Sequence, residues 1–239
     1  MNVARTGTFL VLDGNDGSGK ATQAALLVDA LQKEGIPATK IDFPRYHTNV
    51  MGKLIGECLS GAYGDFVGLD PRITSVLYAA DRFESAGAIR EALAEGKVVV
   101  ADRYASSNQI HQGGKIESPE DRKRFLRWLE EVEYGVFGIP KPDAVVYLKV
   151  PVTVSLELLT QKREAKIGML ADGETDQAEQ DRQYLERSHD TALWLSEREP
   201  NWLVVDCVDE AGAMRSRDSI HDELLAAVRS RLLAASRAS

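Results

Sequence analysis

The sequence predicts an α/β fold in which helices cover both faces of a parallel sheet. Five short apolar runs, rich in Val, Ile or Leu and bounded by Gly, Pro or charged residues, indicate buried strands. These runs cover residues 9–12, 39–43, 98–101, 144–150 and 202–205. Helical patterns separate the runs, and such alternation implies crossover connections between parallel strands.

The predicted helices have recognisable ends. They cover residues 20–34, 71–95, 119–133, 151–163, 180–197 and 219–234. Gly35 and Gly96 follow the first two helices, and an Asp or Ser precedes Pro71 and Pro119, so that a capping oxygen stands before a proline at the first helical position. At 239 residues the chain is expected to form a single domain, residues 1–239.

Composition limits the classes of function. A net charge of −8 argues against a general nucleic-acid or anionic-membrane binder, because such proteins need a basic field. Cys58 and Cys207 lie far apart without metal-ligand spacing, so a disulfide framework is not expected. The polar start and the short first apolar run fit neither a signal peptide nor a membrane span. A cytoplasmic protein is the resulting expectation.

A glycine-rich segment follows the first apolar run and leads into a helical pattern. It comprises Gly14, Asn15, Asp16, Gly17, Ser18, Gly19, Lys20, Ala21 and Thr22. Its glycines let successive N–H groups face one anion, the helix N-terminus adds its dipole, and Lys20 can reach the β- and γ-phosphates of ATP. The strand before it and the helix after it favour a phosphate-binding loop (P-loop) over a turn with an exposed lysine.

One position departs from the P-loop pattern. Ala21 stands where a Ser or Thr hydroxyl usually binds Mg²⁺. Thr22 is about 100° further round the helix and is not an obvious substitute. Asp16 and Asp102 are better metal candidates, because Mg²⁺ favours carboxylate and phosphate oxygens with waters. The departure leaves open a nucleotide-binding module that does not transfer phosphate.

A charged pair ends the third apolar run. Asp102 and Arg103 are predicted to face the same crevice as the P-loop, because ligands of open α/β sheets bind beyond the carboxyl ends of the strands. A structural ion pair is the alternative, and it is the commoner explanation for an isolated Asp-Arg pair. The neighbouring P-loop favours a functional site.

Aromatic and arginine side chains occur together at two further places. Tyr78 and Arg82 share one face of a predicted helix, where a ring and a guanidinium could contact a base. Phe43 and Arg45 flank a proline after the second strand, where the arginine could bind phosphate. At both places the alternative is a ring that covers an arginine stem.

A basic cluster precedes the acidic, glycine-bearing segment 168–177, which is expected to be a mobile loop. The cluster comprises Lys162, Arg163 and Lys166. It is either a solvated helix end, where cations are favourable, or a cationic lid that closes over ATP.

Five segments together resemble bacterial thymidylate kinases in content, order and spacing. They are residues 14–22, 43–45, 77–82, 102–112 and 176–187, and the resemblance spans nearly the whole chain. It implies the P-loop kinase fold, with a five-stranded parallel sheet, a mobile lid near residues 160–180, and a homodimer. The implied reaction transfers the γ-phosphoryl group of ATP to dTMP with Mg²⁺.

The resemblance also implies roles for the residues around the phosphates. Asp16 matches a carboxylate that contacts the sugar 3′-hydroxyl, and Arg45 and Arg103 match clamps on the acceptor phosphate. Members of the family take their catalytic arginine either from the P-loop or from the lid. Here Gly17 follows Asp16 in the P-loop, so the catalytic cation is expected from the lid cluster of Lys162, Arg163 and Lys166.

At the base, Tyr78 stands where the family usually has a stacking Phe, and Arg82 matches the donor to thymine O4. Asn108 and Gln112 fall in the stretch that lines base and sugar, and His111 falls near the 2′ carbon. A thymine methyl group adds only about 1–3 kcal/mol of discrimination, so a kinase for dUMP or a cytidylate remains an alternative.

Overall fold

The computed structural model describes residues 7–167 and 182–238, with side chains described through 161 and from 182 to 230. In this part of the chain, five parallel strands form one sheet in the order β2-β3-β1-β4-β5. The strands are β1 Thr8–Gly14, β2 Ala38–Asp42, β3 Val98–Asp102, β4 Ala144–Lys149 and β5 Trp202–Asp206. The strands predicted from the apolar runs are confirmed, each to within about two residues.

The helices include those predicted from the sequence. They are α1 Lys20–Lys33, α2 Val50–Leu59, α3 Pro71–Ala94, α4 Ala105–Ser107, α5 Pro119–Glu130, α6 Val152–Ile167, α7 Arg182–Ser196 and α8 Arg217–Ala238. Two π-helical turns, Asn108–Gln112 and Glu131–Val136, continue α4 and α5. Within these described ranges, no helix combines the length and apolar character needed to cross a bilayer.

Strand β1 is the centre of the core and is buried on both faces. Leu10 and Leu12 pack in a cluster with α1 and α8, whereas Phe9 and Val11 pack in a second cluster with α3 and α7. This alternation follows from the two-residue period of a strand. Because helices cover both faces, β1 is apolar at successive positions, which explains why its sequence is a continuous apolar run.

The helix ends confirm the two capping predictions. The Asp70 side chain accepts a 2.8 Å hydrogen bond from the Arg72 backbone N–H at the start of α3. At the start of α5, the Ser118 hydroxyl oxygen accepts from the Asp121 N–H at 3.3 Å.

Helix α2 was not predicted, because two glycines interrupt its pattern. Glycine has poor helix propensity. At Gly52 close packing requires it, because a Cβ there would lie 2.3 Å from the Arg45 carbonyl oxygen. A Cβ at Gly56 would make a tight contact of 3.3 Å with the Tyr46 ring. The segment after β2 therefore packs tightly on α2.

Candidate active site

The P-loop joins β1 to α1 at the carboxyl end of the central strand. Gly14 has φ of +152°, and a Cβ there would lie 2.7 Å from the Leu148 carbonyl oxygen, so this turn requires glycine. Lys20 is the first residue of α1 and is only 7% exposed. Its ammonium donates to the Asn15 carbonyl at 2.8 Å and lies 3.5 Å from the Asp16 carboxylate. These contacts hold the amine beside the loop.

A cavity of about 500 Å³ opens next to this loop. Its walls come from the P-loop, the ends of β2 and β3, α3, the π-helical turn Asn108–Gln112, and α7. The predicted site residues that line it are Asp16, Gly17, Gly19, Lys20, Ala21, Thr22, Phe43, Tyr78, Arg82, Asp102, Arg103, Asn108, His111 and Gln112. The sequence prediction of one shared crevice for the P-loop and the Asp102-Arg103 pair is therefore confirmed.

Other predicted residues lie elsewhere. Gly14, Asn15 and Ser18 are buried inside the P-loop turn and are not among the cavity-lining residues. Arg45 is also outside that lining: its backbone N–H donates to Asp81 at 3.1 Å and its guanidinium to the Ser85 hydroxyl at 3.3 Å. The side chains of Lys162, Arg163 and Lys166 and the predicted loop 168–177 lie outside the described residues.

Arg103 lines the cavity and is held from several sides. Its guanidinium pairs with the Asp16 carboxylate, contacts His111 Nε2 at 3.0 Å and lies 3.6 Å from the Asp13 carboxylate. Its backbone has φ of +65°, an unfavourable region for a side-chain-bearing residue, while its N–H donates to the Leu12 carbonyl at 2.9 Å. Surrounding contacts thus maintain a strained residue, as is common at functional sites.

The same ion pairs change the pKa of Asp16. Burial alone would raise the pKa of this carboxyl, but Arg103 and Lys20 outweigh burial and hold the pKa well below its usual range. Burial and the nearby Arg103 cation lower the pKa of Lys20, against the opposing effect of Asp16, Asp102 and Asp13. Asp16 is thus ionised. The pKa values of Asp16 and Lys20 in the P-loop both depend on the charge of Arg103, which follows β3.

Asp13 is a site residue that the sequence analysis missed. It is fully buried at the end of β1, and its carboxylate accepts hydrogen bonds from the Ser106 hydroxyl at 2.6 Å and the Ser107 hydroxyl at 2.8 Å. It also accepts from the Gly14 N–H at 2.9 Å. Asp13 therefore ties the start of the P-loop to α4. Its position between a buried strand and the P-loop was the available signal.

His111 lines the cavity in its neutral form. A guanidinium can only donate, so Nε2 accepts from Arg103 and Nδ1 carries the proton that it donates to the Ser188 hydroxyl at 3.3 Å. The ring stacks on Tyr184 with centroids 5.8 Å apart and an 18° interplanar angle. Burial and the nearby Arg103 cation lower the pKa of His111 to about 4.

Glu133 holds two buried polar residues of the cavity wall, Arg82 and Asn108. Arg82 donates through Nε and Nη2 to the Glu133 carboxylate and through Nη1 to the Tyr104 carbonyl at 3.3 Å. Burial alone would lower the pKa of Arg82, but Glu133 outweighs burial and raises it. Asn108 donates to Glu133 at 2.7 Å. Glu133 was not predicted, since it occurred only as the last residue of a predicted helix.

Carboxylates suited to Mg²⁺ line the cavity near the P-loop. Asp102 ends β3, and Asp42, which the sequence analysis missed, is its in-register neighbour on β2; both line the cavity. Burial raises the pKa of Asp102, and Lys20 and Arg103 oppose that effect. Among the residues with described side chains, no cluster of three or more His, Cys, Asp or Glu could hold a metal by itself. This donor set fits a Mg²⁺ ion that takes its remaining ligands from phosphate and water.

The fold and this cavity define the class of protein: a P-loop nucleotide kinase, with a loop for the donor phosphates and a polar cavity that extends from it. The family model for thymidylate kinase matches residues 12–217. The chain belongs to the thymidylate kinase family, whose members are ATP-dependent nucleoside monophosphate kinases.

Individual relatives agree with this assignment. The chain is 31% identical over 229 residues to the probable thymidylate kinase of Pyrococcus horikoshii, covering 95% of this chain and 98% of that protein. It is 34% identical over 146 residues to human thymidylate kinase, a match that spans 61% of this chain and 62% of the human protein. A solved thymidylate kinase from Candida albicans shares the fold, with a TM-score of 0.71 at 21% identity over 95% of this chain and 93% of that one.

Proposed function

We propose that this chain transfers the γ-phosphoryl group of ATP to dTMP, giving ADP and dTDP. One observation carries the proposal: the same cavity is lined by the P-loop lysine, Lys20, and by a buried arginine-amide pair, Arg82 and Asn108. Arg103 lines this cavity as well and contacts the P-loop through Asp16. A cavity lined by both sets of residues suits a phosphate donor and a base-bearing acceptor.

The reaction needs alignment and charge more than proton transfer. An oxygen of the acceptor phosphate, anionic at neutral pH, attacks the γ-phosphorus, and the bond to the β–γ bridging oxygen breaks to release ADP. The P-loop N–H groups and Lys20 hold the donor phosphates. Arg103 faces the acceptor phosphate, and its strained backbone and ion pair with Asp16 keep it in place before substrate arrives.

We propose that Mg²⁺ accompanies ATP and that Asp102, with Asp16, holds it. The metal would supply charge neutralisation on the donor phosphates. Asp102 is the better candidate of the two, because the Asp16 carboxylate already pairs with Arg103 and lies near Lys20. Ala21 lines the cavity without a hydroxyl, so the ligand usual at this position is replaced.

The remaining predicted contacts belong to the same proposal. Lys162, Arg163 and Lys166 would supply lid cations to the transferring phosphoryl group, and Arg45 would join Arg103 at the acceptor phosphate after losing its contact with Ser85. The chain would act as one domain, residues 1–239, with the lid near 160–180. His111 would lie against the sugar, and Tyr78 and Phe43 against the base.

We further propose a cytoplasmic homodimer. Exposed apolar side chains on one face of α3 support the dimer: Ile73 is 56%, Val76 39% and Phe83 52% exposed. Their spacing of three and seven residues places them in a stripe, and such a stripe is typical of an interaction surface. Cys58 and Cys207 are buried free thiols, which supports a reducing compartment.

A coupled assay of ADP release tests the reaction against the alternatives. The purified chain is supplied with ATP, Mg²⁺ and, one at a time, dTMP, dUMP, dCMP, CMP, AMP and GMP. The proposal expects the highest kcat/KM with dTMP. A higher value with dUMP or a cytidylate would make the chain a kinase for that nucleotide. ATP binding without acceptor-dependent ADP release would make it a nucleotide-binding module.

A further inference from the structure

Glu133 lies behind the cavity wall and contacts two polar residues of that wall, Arg82 and Asn108. It is 1% exposed, sits in the π-helical turn Glu131–Val136, and is not among the cavity-lining residues. Its carboxylate accepts from Arg82 Nε at 3.0 Å, from Arg82 Nη2, and from Asn108 Nδ2 at 2.7 Å. Arg82 and Asn108 both line the cavity and are each 2% exposed. One buried carboxylate therefore orients both.

These contacts determine which atom of Asn108 can serve a ligand. An amide nitrogen carries two protons. Both are used here, one toward Glu133 and the other toward the Ser75 carbonyl oxygen at 3.1 Å. The carbonyl oxygen Oδ1 is therefore the atom that Asn108 can offer to the cavity, as an acceptor.

Arg82 offers the opposite polarity. A guanidinium has five N–H donors and no acceptor. Nε and Nη2 donate to Glu133 and Nη1 donates to the Tyr104 carbonyl, which leaves two donors. Glu133 thus fixes a donor from Arg82 next to an acceptor from Asn108.

We infer that Glu133 is a positioning residue that selects pyrimidines with a 4-oxo group over those with a 4-amino group; this inference rests on the proposed function. A 4-oxo pyrimidine presents an acceptor at O4 and a donor at N3–H, which complement Arg82 and Asn108 Oδ1. A 4-amino pyrimidine presents a donor and an acceptor in the reverse order. Its amino group would then face the Arg82 donor, and its N3 acceptor would face Asn108 Oδ1. A buried site built to hydrogen-bond its substrate rejects such a mismatch strongly.

The test compares kcat/KM for dTMP and dCMP in the wild type, Glu133→Gln and Glu133→Asp. Glu133→Gln places an amide N–H donor at the point where Arg82 Nε, Arg82 Nη2 and Asn108 Nδ2 already donate. Glu133→Asp keeps the negative charge that pairs with Arg82 but shortens the side chain. We expect either variant to lower the dTMP-to-dCMP ratio of kcat/KM by about tenfold or more, with the KM for ATP unchanged. Glu131→Gln, an exposed carboxylate in the same turn, is the matched control and should leave the ratio unchanged.

Each outcome decides the inference. Equal losses for dTMP and dCMP in a folded variant would show that Glu133 is merely structural and overturn the inference. If Glu133→Gln does not fold, the ratio measured for Glu133→Asp decides in the same way. A wild type that phosphorylates neither nucleotide would instead refute the proposed function. A wild type that prefers dCMP would refute the polarity assigned to Arg82 and Asn108.

Discussion

The Asp16 carboxylate forms an ion pair with the Arg103 guanidinium and thereby joins the P-loop to the end of β3. The pair couples the two halves of the site, because Asp16 belongs to the donor loop and Arg103 to the proposed acceptor clamp. An acceptor phosphate would compete with Asp16 for Arg103, which remains aligned by Asp13 and His111. The free enzyme therefore holds a preorganised cation without leaving its charge unpaired in a buried place.

The low pKa of His111 predicts an acid-dependent loss of stability. The folded-state pKa of about 4 lies below the ordinary value of 6.5, so the unfolded chain binds a proton that the folded chain excludes as the pH falls through this interval. This cost fades as the pH rises above 6.5.

Measured by urea unfolding, the wild type should lose on the order of 2 kcal/mol more than His111→Gln between pH 7 and pH 4.5. Glutamine does not titrate and can still accept from Arg103. The exposed His47→Gln serves as the control and should follow the wild type. Parallel stability curves for wild type and His111→Gln would show that the folded state does not exclude the proton.

The buried Arg82–Glu133 pair predicts strong coupling between two substitutions. Arg82→Met leaves the Glu133 carboxylate buried without its cation and should reduce the free energy of unfolding by about 3–5 kcal/mol. Adding Glu133→Gln to that variant removes the unpaired charge and should restore at least about 1 kcal/mol, although Glu133→Gln alone destabilises. Urea unfolding of all four proteins measures the coupling; strictly additive effects would contradict it.

The metal proposal predicts a different result at Asp102 from that at Ala21. Asp102→Asn keeps the side-chain shape but removes the charge, so it should lower kcat and raise the Mg²⁺ concentration needed for half-maximal rate. Ala21→Ser should change little, because the site is built without that hydroxyl. A Mg²⁺ titration of steady-state dTMP phosphorylation checks both. An unchanged Mg²⁺ dependence in Asp102→Asn, or a large gain in Ala21→Ser, would mean that the metal lies elsewhere.

The apolar face of α3 predicts the mode of dimerisation. Light scattering during gel filtration should give about twice the chain mass of 26.3 kDa for the wild type. Phe83→Glu should shift it toward the monomer, because a charge replaces an apolar side chain that is 52% exposed in the single chain. Lys123→Glu, exposed on α5, is the control and should remain dimeric. A Phe83→Glu dimer of wild-type stability on dilution would place the interface on another surface.

Residues whose role follows from position along a strand or loop could be predicted from sequence. Leu10 lies in an apolar run, Lys20 ends a glycine-rich P-loop motif, and Asp102 lies at the carboxyl end of a predicted strand, so hydrophobic pattern, motif and topology were enough. The position of Asp13 beside the P-loop could have marked it as a candidate, but the contacts of Asp13 and Glu133 could not be assigned in this way. Their partners lie 93 and 51 positions away, at Ser106 and Arg82, and no local pattern encodes such contacts.

The most direct test of the central claim follows the phosphoryl group itself. ATP labelled at its γ-phosphorus is incubated with the chain, Mg²⁺ and an equimolar mixture of dTMP, dUMP and dCMP, and the labelled nucleotides are separated. We expect the label in dTDP, with the rate reduced about 100-fold or more in Lys20→Met and unchanged in Lys33→Met, an exposed lysine at the end of α1. Label that appears in inorganic phosphate or in another diphosphate, or an undiminished rate in Lys20→Met, would contradict the account.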